Sequence, residues 1–344
     1  MLFRSGVGPG HFDAEFPQFR PYGLIQLQAD PLYVHNDYLN TLCDWGVVGM
    51  LIIGFTFVMI GDGVFRVWRF VRRSPEEGGS GHNVKAAVVF GGSIGLLALM
   101  VHSVVDFNMQ IPANAIIAVT LMAMLTAHWR YATEGFWANP HFAGRVALTG
   151  MAAIGLAFLG WQGWHKAREV YWSEAARHLP DRSPALLNAL TNACAAEPDN
   201  YMDLHLVGEY YRRLSWTGEA DYKAQAEEAL KWFGRSMDAN RHYAMTPVRY
   251  GMCLDWLDRT NQATFWFNRA LELDPAGYIV LRYEGWHQIE LENYPAARDF
   301  LIRSLSIYPE KVSATSLPAS QNYYARDLLN IVNERLAKQA AQKK

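Results

Sequence analysis

The chain has 344 residues, 51% of them hydrophobic, and a formal net charge of -2. That balance removes any reason to expect nucleic-acid binding, which leaves a basic footprint. Its three cysteines, Cys43, Cys194 and Cys253, lie far apart with no CxxC pair, so neither a zinc site nor a disulfide framework is indicated and no metal is expected.

The averages hide a division. After a polar opening of about forty residues, long apolar runs dominate as far as Trp164, and from Lys166 the chain turns charged and rich in Ala, Leu, Glu and aromatic residues. Met1 to Gly10 lacks the basic-then-apolar pattern of a signal peptide. Gly6-Val7-Gly8-Pro9-Gly10-His11-Phe12 is a glycine-rich turn without the Lys-Ser/Thr of a phosphate loop, which argues against a nucleotide site. His35-Asn36-Asp37-Tyr38-Leu39 follows, then Asp44-Trp45-Gly46-Val47-Val48-Gly49 at the mouth of the first apolar run. A histidine beside Asn and Asp at that place can accept a proton from a hydroxyl. The structural alternative is a helix cap built from Asn36 and Asp37.

Four runs have the length that spanning a bilayer requires, about twenty mainly apolar residues. They are Trp45 to Phe65, Ala86 to Val105, Phe107 to Ala127 and Val146 to Trp164. Arg66, Arg69, Arg72, Arg73 and Lys85 lie between the first two, and Arg130 and Arg145 between the last two. With those loops in the cytoplasm, residues 1–44, the Asp106 turn and everything beyond Trp164 lie outside. His102 and Asp106, four residues apart, share a helix face at the outer end of the second run. Ionisable groups there are functional candidates, with a mutual cap of the helix turn as the alternative.

The charged half repeats. Ser236-Met237-Asp238-Ala239-Asn240-Arg241, Ala270-Leu271-Glu272-Leu273-Asp274-Pro275 and Ser304-Leu305-Ser306-Ile307-Tyr308-Pro309 succeed one another at 34 residues, the tetratricopeptide period. Gly251, Ala263, Phe267 and Ala270 take the small and large positions of that repeat, as do Gly285, Ala297, Leu301 and Ser304. Ala229, Phe233 and Ser236 keep part of the pattern, with an insertion around Gly218 to Tyr222 breaking its phase, and Cys194 to Pro198 closes a degenerate earlier unit. Tyr323 to Ala340 reads as a polar-faced capping helix. Trp256, Trp266, Tyr283 and Trp286 either line a concave binding face or pack between helices.

The expected fold is therefore all-α: about four polytopic membrane helices followed by a tetratricopeptide-like α-solenoid. The expected divisions are an outer loop 1–44, a transmembrane domain 45–165 and an extracytoplasmic repeat domain 166–344.

The order Gly-x-Gly-Pro-Gly-x-Phe, His-Asn-Asp-Tyr-Leu and Asp-x-Gly-x-x-Gly, with His102-Ser-Val-Val-Asp106-Phe107 and Gln110-Ile111-Pro112 further on, resembles the O-antigen ligase and polymerase superfamily. The resemblance covers about Leu2 to Ala127. It implies a metal-independent and cofactor-free glycosyltransferase of the bacterial inner membrane, with its repeat domain in the periplasm. The donor would be a polyprenyl diphosphate-linked glycan and the acceptor a hydroxyl of a lipid or protein. His35, matching the motif histidine, would be the general base. Asn36, Asp37, His102 and Asp106 would lie about the substrates, and Arg20 would contact the diphosphate, since guanidinium matches phosphate oxygens. That family carries further helices ahead of the glycine-rich stretch, including one with a catalytic arginine, so the resemblance implies an N-terminally incomplete chain. The competing expectation is a membrane-anchored scaffold whose repeats recruit an extracytoplasmic protein partner, with His35 dispensable.

Overall fold

A computed structural model describes residues 6–8, 10–23, 32–73, 84–131, 140–309 and 324–342. All regular structure among them is helical. The chain divides into two compact units: Met1–Asp13 with Pro31–Gly150, and Ala14–Asp30 with Met151–Lys344. The expected outer loop 1–44 is thus shared between the units, and the later division falls within a helix rather than near residue 165. A one-turn helix, α1 (Phe12–Glu15), crosses the first boundary.

The first unit is built on α2 (Asp37–Arg73), α3 (Val84–His102) and α4 (Pro112–Ala127). Ile60, Val67, Val89, Leu96 and Leu125 form its buried core. Gly92 and Gly95 bring the helices together, because a Cβ there would stand only 3.4 Å from Leu125 and 3.2 Å from Leu121. The single apolar run expected from Phe107 to Ala127 is not one helix. The chain leaves the helix at Ser103, passes through a short 3-10 turn at Asn108–Gln110 and restarts with Pro112 in the first turn of α4. Proline suits that position, since its missing N–H would have no partner there. The 16 residues of α4 give it a length of about 24 Å, short of a hydrocarbon core of about 30 Å.

Among the described residues, two helices are long and apolar enough to cross a membrane: α2 over Asp37–Arg69, and α5 (Phe142–Arg177). The expected four become two of full length, with α3 and α4 shorter and apolar. From Phe142 to Trp164 no side chain of α5 is buried, and Ile154 and Leu156 are 72% and 70% exposed. A core helix of a water-soluble protein would hide that surface.

The second unit stacks helix pairs. α6 (Pro184–Ala196) starts on Ser183, whose hydroxyl accepts the Leu186 N–H at 3.1 Å, and packs on α7 (Tyr201–Ser215), capped by Asn200. α7 pairs with α8 (Tyr222–Ala239), α9 (Met245–Trp256) with α10 (Thr260–Leu273), and α11 (Tyr278–Glu290) with α12 (Tyr294–Ile307). α13 (Ala325–Gln342) covers α12 with Ala325, Leu328 and Val332 while its remaining surface is largely exposed, as a capping helix requires.

Each pair is locked by one large side chain against one glycine. A Cβ on Gly251 would lie 2.7 Å from the Phe267 ring, one on Gly285 2.7 Å from Leu301, and one on Gly208 2.6 Å from Phe233. Phe233, Leu301, Ala229, Ala263, Ala270 and Ala297 are completely buried and Phe267 nearly so. Ser236 and Ser304 each donate a hydrogen bond at 2.8 Å to the first carbonyl of their paired helix, Tyr201 and Tyr278. The turns inside the second and third pairs repeat as well, with Asp258 (φ 58°) and Glu292 (φ 57°) in the left-handed region. The unit is therefore a tetratricopeptide-like helical array.

Because Ala263 is completely buried in the helix pair, Ala263→Leu should overpack the α9–α10 pair and cost on the order of 1–3 kcal/mol. Urea unfolding followed by far-UV circular dichroism should show a lowered midpoint. Phe265→Leu, at a 64% exposed site in the same helix, should leave the midpoint nearly unchanged.

Candidate functional site

The first unit gathers its motifs around a break in α2. Gly46 adopts φ 65°, ψ −169° within the helix, which strips the carbonyls one turn earlier of their intrahelical donors. The glycine-rich stretch replaces them: Val7 N–H donates to the Cys43 carbonyl at 2.8 Å and Gly8 N–H to that of Asp44 at 2.9 Å. Gly6, at φ 75°, lies so close that a Cβ would strike the Asp44 carbonyl oxygen. The separated glycines of the two motifs thus form one joint.

Asn36 caps α2. Its Oδ1 accepts the Leu39 N–H at 2.9 Å, while its amide donates to the Val104 carbonyl at 2.8 Å. Asp37 donates its backbone N–H to the Ser103 carbonyl at 2.9 Å and accepts the Met109 N–H on Oδ2 at 3.0 Å. Its Oδ1 meets no hydrogen-bond donor among the described residues, and the side chain lines a mainly apolar cavity of about 280 Å³ between α2, α3 and α4. These bonds tie the start of α2 to the segment after α3.

His35 meets Asp106 there, Nδ1 to Oδ1 at 3.5 Å, and His102 approaches the other oxygen, Nε2 to Oδ2 at 3.6 Å. The Phe107 N–H, bonded to Asp106 at 2.8 Å, is the main cause that lowers this carboxyl below its ordinary range; His102 and His35 add to it. An ionised Asp106 can therefore orient both imidazoles at neutral pH. The His35 ring stands edge-on to Phe107 with its side chain 72% exposed, accessible to a reacting molecule. The sequence pairs His35 with Asn36 and Asp37; the folded chain adds Asp106 as its direct ionic neighbour.

Arg20 lies in the second unit. Its guanidinium is buried 3.6 Å from the Asp274 carboxylate, an arrangement that answers the cost of burying a lone charge. The stretch around it is held by Glu15 on His242 at 2.9 Å and by the Tyr22 hydroxyl, which accepts from Arg303 at 2.9 Å.

The inner helices α7, α9 and α11 line a groove of about 530 Å³. Met245 and Ile279, 34 residues apart, form part of its wall, and Tyr243, Tyr278, Tyr308 and Tyr324 present rings to it. Among the described residues three guanidiniums gather on its one lining carboxylate. Arg212 binds Glu209 at 2.7 and 2.9 Å, Arg249 lies at 3.3 Å and Arg213 at 3.6 Å. Burial alone would raise the Glu209 carboxyl, but Arg212 and Arg249 outweigh it and hold it well below the ordinary range. Burial also pushes His205 down to about 4, so this groove histidine is neutral at pH 7. The aromatics named from the sequence sit elsewhere: Tyr283 and Trp286 are buried, Trp266 packs on Tyr250, and Trp256 on Trp216 and Tyr222. The buried Tyr283 and Trp286 rings fill gaps between helices, which removes more apolar area from water than a place on an open wall, while Trp256 stays 36% exposed.

Beside the groove, a second cavity of about 300 Å³ lies where the end of α5 meets α6 and α7. Ser173 donates to Asp203 at 2.9 Å, and the Asn200 amide reaches Glu169 at 3.2 Å and Asp203 at 3.0 Å. Burial, with the neighbouring Glu169 carboxylate adding to it against the Ser173 bond, raises the Asp203 carboxyl to about 6.

No protein-family model matches the chain, and no curated protein does. Among solved structures the chain is similar to a thermophilic TPR protein of Thermus thermophilus, at 17% identity over 45% of this chain and 73% of that one, with a TM-score of 0.37. It is also similar to the MamA protein, at 12% identity over 53% of this chain and 87% of that one, again with a TM-score of 0.37.

The raised Asp203 carboxyl has a stability consequence. Its folded value of about 6 exceeds the unfolded value of about 3.9, so the folded state holds the proton more tightly. The stabilisation from this proton is fully present below the unfolded value and is lost as pH rises through about 6. Asp203→Asn should therefore unfold at a higher temperature than the unaltered chain at pH 7, with the gap closing toward pH 4. Parallel melting curves across that range would expose the opposite trend if the assignment is wrong.

Proposed function

We propose that the chain is a membrane-anchored helical-repeat scaffold that recruits a protein partner on the extracytoplasmic side. The observation that carries this reading is the groove along α7, α9 and α11, a continuous inner wall lined by tyrosines and arginines. Such stacked arrays offer extended concave surfaces for binding. The anchor rests on α5 and α2, whose apolar side chains are exposed over most of their length. Lipid tails satisfy that surface as water cannot. The arginines Arg66, Arg69, Arg72 and Arg73 at the end of α2 favour a cytoplasmic position for that end.

A second reading, glycosyl transfer from a polyprenyl diphosphate to an acceptor hydroxyl, is favoured by one observation. His35, His102 and Asp106, from two motifs of the O-antigen ligase resemblance, meet in space. Here His35 would take the acceptor proton, and the diphosphate, a good leaving group, would depart without a general acid.

Topology tests the scaffold reading first. Cys43, Cys194 and Cys253 are buried, so the folded chain shields them from an impermeant thiol reagent and the introduced cysteine is the one that reports. In intact cells an impermeant thiol reagent should label Ser306→Cys in the repeat unit and leave Ser80→Cys unlabelled. Equal labelling, or the reverse, would overturn the extracytoplasmic placement. His35→Ala and His35→Gln separate the two readings, because only the transferase loses its activity, by about 10²–10⁴-fold; partner recruitment through the groove should be unchanged.

A further inference from the structure

The cavity between α2, α3 and α4 sorts its lining by polarity. It runs along α2 from Asp37 to Phe57, and takes its other walls from α3, the turn after it, and α4. Its polar groups gather where α2 starts, because the Asp37 N–H bonds to the Ser103 carbonyl and the Met109 N–H to the Asp37 carboxylate. Past that end the walls are apolar, with Ile53, Phe57, Leu96 and Met122. Met50, Met100 and Met109 add unbranched side chains that can follow a flexible guest. The volume of about 280 Å³ exceeds the roughly 150 Å³ of an apolar cavity that stays dry and takes up benzene. Ile53 and Gly54 are exposed, so the cavity opens on the apolar surface of α2.

Asp37 is the one carboxylate of that lining among the described residues. It is only 5% exposed, and while Oδ2 accepts the Met109 N–H, Oδ1 meets no donor among the described residues. A buried carboxylate is costly unless donors and an opposite charge answer it. A primary ammonium at Oδ1 supplies both in one charge-assisted bond. Thr41, one turn further along the same face of α2, also lines the cavity, and its hydroxyl oxygen can accept a second ammonium hydrogen. A hydroxyl head would make the bond and leave the charge unbalanced, and an anionic head would meet like charge. The apolar walls beyond call for an alkyl chain, which a small water-soluble amine lacks.

Taking α2 as a membrane helix, as in the scaffold reading, we propose that this cavity binds a membrane-dissolved single-chain amphiphile with a primary ammonium head, its nitrogen donating to Asp37 Oδ1 and its alkyl chain lying along the apolar walls.

The test is equilibrium binding of tritiated dodecylamine to the full chain in maltoside micelles at pH 7, with empty micelles subtracted. Unlabelled dodecanol, dodecyl phosphate and ethylamine serve as competitors. Dodecylamine, protonated at this pH, should bind saturably, and dodecanol should compete more weakly by roughly tenfold or more, the worth of one charge-assisted contact. Dodecyl phosphate and ethylamine should not compete over the same range. Asp37→Asn, whose amide oxygen can still accept the Met109 N–H, should bring dodecylamine down to the level of dodecanol. Gly54→Leu serves as the second variant and leaves the carboxylate untouched. A Cβ there meets nothing within 4 Å, so the added side chain takes up open space at the cavity wall and should abolish saturable binding while the melting curve is kept. Dodecanol or dodecyl phosphate matching the amine would overturn the ammonium assignment, as would an amine preference that survives Asp37→Asn. Ethylamine competing as well as dodecylamine would overturn the membrane source. Undiminished binding in Gly54→Leu, or no saturable binding to the unaltered chain, would overturn the site. Each of these failures leaves the groove and the topology of the scaffold reading standing, since cysteine labelling tests them separately.

Discussion

The repeat unit depends on a steric interlock that recurs along the array. A glycine on each inner helix leaves a hole one Cβ wide, and Phe233, Phe267 or Leu301 from the outer helix fills it. The fit brings the two backbones close enough for the serine hydroxyls of α8 and α12 to reach carbonyls of the paired helices, Ser236 to Tyr201 and Ser304 to Tyr278. Close packing makes such a site intolerant of added volume, because the interior has few voids to take it up. The inner helices are then held in register, and the groove is a consequence of that register. Its tyrosines and arginines come from separate helices with no contact in sequence, and only the stacking places them on one wall.

The first unit is organised by the opposite device, a break. Gly46 interrupts α2, and the carbonyls of Cys43 and Asp44 that lose their helical donors are served by Val7 and Gly8. A break of this kind within an apolar helix is tolerated where neighbouring backbone re-satisfies the groups it exposes. It also fixes the start of α2, so that Asn36 and Asp37 can bond to the segment following α3. His35 reaches Asp106 through that scaffold of backbone bonds, and the imidazole remains exposed while the residues that hold it are tied down. The joint gives a structural reason for a glycine-rich stretch, a His-Asn pair and a second glycine pair to occur together in this chain. It carries no chemistry by itself.

The two units present different surfaces. α5 begins as a helix with its apolar side chains exposed and ends with Glu169 and Ala176 buried in the repeat unit, so one continuous helix changes solvent requirement along its length. The polar cluster of Ser173, Asn200, Glu169 and Asp203 secures its last turns to α7.

Sequence alone determined whatever depends on local period and composition. The 34-residue phase was legible because each repeat needs the same small and large residues at the same places, and Ala263, Phe267, Ala297 and Leu301 are all buried as that need requires. Gly208 escaped notice because the longer α7 and the turn before Tyr222 set it twenty-five residues before Phe233, where the later pairs use sixteen. The cap role of Asn36 was readable from its position, and so was the apolar character of α2 to α5. Tertiary structure decided the rest. Hydropathy does not register that Ser103 to Ile111 leaves the α-helix, because the apolar residues around it hide the break that a polar hinge and Pro112 impose. Charge count does not tell that Arg20 is neutralised by Asp274, more than two hundred and fifty residues away, nor that His35 and His102 share one carboxylate. Long-range pairs of this kind have no sequence signature, since the chain brings them together only by satisfying other, local demands first.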